Sequence, residues 1–231
     1  MSMRNIMAII EKQWKDTLKN KEVLIQFMLF PLLTVVMEHA VVLEQMPEHF
    51  FVTLFSTMYI GMAPLTSMAS IIAEEKEKHT LRVLIMSDVK AAEYLVGVGS
   101  YVWLACMLGT IVMAVTGGYR REEFAVYLGI MCMGIFISLV MGAVIGIWSQ
   151  NQMAATSVAL PVMIVFSFLP MIALFNESIA KISRFTYSQQ VYSLLNRVGD
   201  LKINKEMVFV ILIHLAVVLL LFNLAYRRRY D

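Results

Sequence analysis

Six apolar blocks, each twenty residues or longer and none with Asp, Glu, Lys or Arg in its middle, dominate the sequence. About twenty apolar residues wound as a helix cross the hydrocarbon layer of a bilayer. Within that layer every backbone N–H and C=O must be bonded inside the segment, which a helix achieves alone. The blocks run over 23–42, 50–72, 94–116, 124–148, 153–175 and 207–226. Of the 231 residues 59% are hydrophobic and only 16% charged, beyond the balance of a soluble domain, so the whole of 1–231 is read as one membrane domain. The expected fold class is an all-α integral membrane protein with six transmembrane helices.

Charge narrows the function classes. The formal net charge of +2 is small and scattered, and no basic stripe with interleaved aromatics offers a nucleic-acid surface. Cys106 and Cys132 fall inside apolar runs, where they read as packing residues rather than a disulfide or a metal site. The first apolar block is long enough to span and follows a lysine-rich stretch, unlike a cleavable signal peptide. Cytoplasmic segments carry the excess of Lys and Arg. With both termini inside, twelve of the nineteen lie before the first block, after the second or at the end of the chain, which orients the protein in the plasma membrane with both ends cytoplasmic.

Residues 1–20 form an amphipathic helix at 100° per residue. Met3, Ile6, Met7, Ile9, Ile10, Trp14 and Leu18 share one arc, and Arg4, Glu11, Lys12, Lys15, Asp16 and Lys19 the other. Such a helix either lies in the headgroup layer, with Trp14 as interfacial anchor and Lys12 and Lys15 toward anionic lipid, or packs on a soluble partner.

Two connections are long enough to carry function. The external one, 176–206, contains Ile179, Ile182, Phe185, Val191, Tyr192, Leu194 and Leu195, predicting short helices that dip into the outer leaflet. The cytoplasmic one reads AEEKEKHTLRVLIMSDVKAAE over 73–93. Glu74 and Lys78 stand at i and i+4 in the favourable order. Leu81, Leu84, Ile85 and Val89 then recur at helical spacing, an apolar stripe that needs a cover outside the bilayer, and Ser87 or Asp88 can cap the following helix.

Glu74, Glu75, Thr80, Leu81 and Leu84, followed by Ser87, Glu93, Leu95 and Gly97, resemble the motif that ends the second span of ABC-2 type transporter permeases. His79 stands where that motif has glycine, Val98 where lysine is frequent, and Thr186-Tyr187 near the place of an external Asn-Pro step. The resemblance covers almost the whole chain: interfacial N-terminal helix, six spans and external segment. It implies an ABC-2 (type V) exporter-like fold, with 74–93 as a coupling loop and Glu74, Glu75, Lys78, Thr80, Leu81, Leu84 and Ile85 against a separate ABC-type ATPase subunit. It also implies that two permeases, identical or different, enclose the path. ATP and Mg then belong to the partner, in keeping with the lack of a Walker-type loop here.

Other polar residues have two readings each. His214 inside the last span, with Gln26 and Thr34 in the first, either lines the path or bonds a neighbouring helix. Glu38, His39, Glu44, Glu48 and His49 around the first external loop either bind a divalent cation or are solvated loop charge, and no metal site is assigned. Pro161 and Pro170, with Gln150, Asn151 and Gln152 at the entrance of the fifth span, either shape a cavity or serve packing. Three rival functions remain: an intramembrane glutamate protease, which lacks its expected arginine because His79 holds that position; an ion-coupled secondary carrier, for which only His214 lies at mid-depth; and a non-transporting scaffold.

Overall fold

The computed structural model describes residues 2–41, 47–80, 86, 89–200 and 203–230. Among these residues every regular element is a helix: α1 (Met3–Lys19), α2 (Lys21–Ala40), α3 (Phe50–Glu77), α4 (Ala91–Thr116), α5 (Arg121–Trp148), α6 (Gln152–Ala173), α7 (Glu177–Ser183), α8 (Tyr187–Leu195) and α9 (Lys205–Tyr230). Six of them, α2 to α6 and α9, are long and apolar enough to cross a membrane. An even number of crossings returns both termini to one side.

The centre of the bundle is α3, which packs on α5 and α6 and also touches α2, α4 and α8. Most of α3 and α5 is buried, whereas α2, α6 and α9 leave most of their apolar surface uncovered. Lipid tails are as apolar as leucine, so spans associate through close backbone approach at small residues. Gly142 and Gly146, four apart on α5, supply that approach to α3: a Cβ on Gly146 would stand 2.8 Å from the Cβ of Ile72. On the other flank a Cβ on Gly61 would stand 2.7 Å from the backbone nitrogen of Ser167 in α6.

The N-terminal helix has three faces, not two. Ile6, Ile9, Gln13 and Thr17, at spacings of three and four, are buried against the bundle, with Ile9 seated over Gly97 of α4. Met3, Met7 and Leu18 remain 71%, 59% and 70% exposed on a second apolar strip.

The apolar residues of 176–206 divide: Ile182 and Phe185 stay exposed, whereas those of the second short helix are covered. Tyr187, Val191, Leu194 and Leu195 of α8 are buried against α3, α5, α6 and α9, so these apolar residues are covered by protein and not by the outer leaflet. Asn176 caps α7 through the N–H groups of Ser178 and Ile179, and Thr186 begins α8 as its cap, receiving the N–H of Gln189.

Candidate functional site at the charged end of the second span

The second apolar block ends at Ile72, and the charged helix that the Glu74–Lys78 spacing allows beyond it is present: α3 runs on to Glu77, so Glu74 and Glu75 sit on its last turns. Each charge in Glu74-Glu75-Lys76-Glu77 finds a partner, Glu74 one turn on at Lys78 and the other three on different elements.

Glu74 accepts from Lys78 Nζ one turn on, and this hydrogen bond is the largest influence holding the Lys78 ammonium above its usual range. Glu75, only 6% exposed, turns under α1: its Oε1 accepts from Lys12 Nζ and, at 3.1 Å, from Gln13 Nε2. Its Oε2 is buried and has no hydrogen-bond partner among the described residues. The Lys76 ammonium lies at the end of α5, donating to the carbonyls of Gly146 at 3.2 Å, Ile147 at 2.8 Å and Ser149. Those groups are left over at a helix C-terminus, where a cation is favoured. Glu77 Oε2 accepts the N–H of Gln152 at 2.9 Å, the first residue of α6, where an anion is favoured. One turn of α3 thus holds α1, the end of α5 and the start of α6.

His79 follows with φ of 57°, the left-handed conformation that commonly ends a helix and that glycine adopts most readily. The motif's glycine at this position therefore has a backbone reason, and histidine takes up the same conformation. Thr80 is half-buried; Leu81, Leu84, Ile85, Ser87 and Asp88 lie outside the described residues. The helix after them is capped by Glu93, whose Oε2 accepts from Lys90 N at 3.4 Å and from Asn5 Nδ2 at 2.9 Å. Its Oε1 receives the N–H of Ser2, tying the start of α1 to α4. Between α1, the start of α2 and the end of α3 lies a cavity of about 640 Å³, walled by Lys12, Asp16, Lys19, Lys21, Glu74 and Glu75 among others.

The residues read as interfacial anchors also have partners within the protein. Trp14 packs edge-on against Tyr101 of α4, ring centroids 5.3 Å apart, because the buried face of α1 brings it over that helix. Lys12 donates to the buried Glu75 carboxylate while remaining partly exposed. Lys15 is exposed and pairs with Glu11 at 2.6 Å.

The path candidates do not come together. Gln26 Oε1 accepts from Ser67 Oγ at 3.1 Å and Thr66 Oγ1 at 3.4 Å on α3. Thr34 is fully buried and donates to the carbonyl of Phe30. His214 bonds the Val210 carbonyl of its own helix at 2.9 Å, with Tyr187 and Phe166 flanking its ring. A further polar contact joins Gln152 Nε2 to Ser70 Oγ at 3.0 Å, placing Gln152 between α3 and α6. Around the connection between α2 and α3, His39 Nδ1 contacts its own helix at Val35, the His49 ring lies over Tyr119 and Glu44 is outside the described residues. Among the described residues no group of three or more His, Cys, Asp or Glu is placed to hold a metal.

Gln13, Lys76 and Glu77 are site residues that the motif does not mark. The signal for Lys76 and Glu77 is the unbroken EEKEK run at the end of an apolar span, and for Gln13 its helical spacing with Ile6, Ile9 and Thr17.

Six spans gathered on a buried central helix, a docked N-terminal helix and an ordered charge cluster on the side of both termini describe a six-span membrane permease. Residues 5–227 match the family model described as ABC-2 family transporter protein, and the chain belongs to that family: it is a multi-pass membrane component of a transport system. No curated protein matches the chain.

Proposed function

We propose that this permease exports a drug, an antimicrobial peptide or a lipid-like molecule across the plasma membrane, driven by a separate ABC-type ATPase subunit that binds ATP and Mg. In this reading both termini are cytoplasmic, and the ATPase docks on α1 and the end of α3. Glu75 carries the argument: a carboxylate nine-tenths buried, with one oxygen unpartnered among the described residues, beside a polar cavity on the side of both termini. A buried acceptor without a donor is costly unless another group completes it. A cationic side chain of the ATPase completes it here. Motion of that subunit then reaches α5 and α6 through Lys76 and Glu77, because the three helices share one turn of α3. Pairing of two permeases, identical or different, agrees with the broad apolar surfaces left by α2 and α6.

The test is co-expression of the permease with ABC-type ATPase subunits of its own organism, followed by reconstitution. The expected result is co-purification of the two chains and transport that requires ATP. Replacing Glu75 and Leu81 together by alanine is expected to leave ATP hydrolysis and membrane insertion intact while transport is lost. Unchanged transport by that variant, or transport by the chain alone without ATP, overturns the assignment.

A further inference from the structure

A second cavity lies far from the charged turn. Both α4 and α9 pack on α5, leaving a groove of about 650 Å³ between them. Gly99 and Leu139 line its inner part, and Trp103, Phe136, Leu219 and Phe222 its walls. Ser100 adds the only hydroxyl among the lining side chains, so the groove is almost wholly apolar. Phe136 and Leu219 are 44% and 43% exposed, at positions well inside their spans. In the hydrocarbon layer such a groove fills with apolar chain and not with water.

Its position along the spans selects the occupant. The lining begins at Leu95, five residues into α4, and ends at Phe222, five residues before Arg227 on α9. At 1.5 Å per residue, Lys90 and Arg227 each stand about 7 Å beyond the groove, at the same end. Lys90, Arg227 and Arg228 are all exposed, and none takes part in an ion pair among the described residues. The nearest acid in sequence on α4, Glu93, is occupied by Asn5 and Ser2. An apolar slot with three exposed cations near its mouth is complementary to an acyl chain bearing an anionic head.

We infer that the α4–α9 groove is a binding site for one anionic phospholipid of the leaflet on the side of both termini, its acyl chain along Gly99 and Trp103 and its phosphate between Lys90 and Arg227–Arg228. The inference is independent of the cargo and of the ATPase. It requires only that the chain spans the membrane.

The experiment uses the full chain in nanodiscs of equal phosphatidylglycerol and phosphatidylethanolamine, released for native mass spectrometry. Wild type is expected to retain a phosphatidylglycerol adduct. Gly99→Leu should abolish it, because the Cβ at Gly99 meets Leu139 at an ordinary 3.5 Å and the added side chain enters the groove. Lys90→Gln with Arg227→Gln and Arg228→Gln should keep lipid bound but lower the preference for the anionic head by about tenfold or more. A measurement on the native fold covers the case in which Gly99→Leu misfolds: quenching by lipids brominated on the acyl chain, taken as the difference between wild type and Trp103→Phe. Brominated phosphatidylglycerol should quench Trp103 more strongly than brominated phosphatidylethanolamine at equal fraction. Equal quenching by both, an adduct undiminished in a folded Gly99→Leu, or loss of permease pairing in Gly99→Leu without loss of lipid overturns the inference, the last by assigning the groove to a second copy.

Discussion

Lys12 and Glu75, 63 positions apart in sequence, meet where α1 crosses the end of α3, and the Glu75 side chain is the more deeply buried of the two, 8% exposed against 36%. Removing the ammonium leaves Glu75 buried with Gln13 alone. Lys12→Ala is expected to destabilise the permease by about 1–2 kcal/mol, the lower part of the range for a lost charged hydrogen bond because Lys12 is partly solvated. Thermal unfolding of Lys12→Ala, Glu75→Ala and the double variant in detergent checks this. A coupling energy indistinguishable from zero would show that the pair holds nothing.

The ammonium of Lys76 answers three carbonyls at the end of α5, more than a glutamine can replace. Lys76→Gln should cost about 1–3 kcal/mol. Glu77→Gln, more exposed and facing one N–H of α6, should cost less, about 0.3–1 kcal/mol. Hydrogen exchange should localise both effects to the Ser149–Gln152 connection; faster exchange confined to α3 would contradict the three-helix junction.

Histidine at position 79 holds a left-handed backbone that an L side chain adopts at a cost. His79→Gly is expected to raise stability by about 1 kcal/mol and His79→Val to lower it. The pair of melting temperatures decides: a His79→Gly protein no more stable than wild type would mean that the imidazole makes a contact offsetting the strain.

Close approach of α3 and α5 rests on hydrogen atoms where other residues have side chains. Gly146→Val should cost at least about 1–3 kcal/mol by forcing Ile72 aside, while Gly129→Ala, which meets nothing within 4 Å, should be near neutral. Unfolding midpoints of the two variants test the contrast.

The six spans were legible because hydrocarbon thickness imposes a length that a run of apolar letters reveals directly. Facing within them was not. A helix that is apolar all round carries no periodic signal, so nothing in the sequence distinguished buried Thr34 from half-buried Gln26, or turned His214 toward Tyr187 and Phe166. In α1 the two-arc division hid the third face, because Gln13 and Thr17 are polar and were not counted with Ile6 and Ile9, although their spacing matches. The motif drew attention to Glu74 and Glu75. Only the packing revealed that Glu75 turns inward and that Lys76 and Glu77 have separate partners.

Four successive residues on an α-helix look out in four directions, and here each direction is taken. Inserting or deleting one residue upstream in α3 rotates the whole set by about 100° and sends Glu75, Lys76 and Glu77 to the wrong neighbours at once. Natural length variation in this chain must therefore fall in its connections, and anyone grafting a tag or splicing a chimera should leave the count of residues between Gly61 and Glu77 untouched.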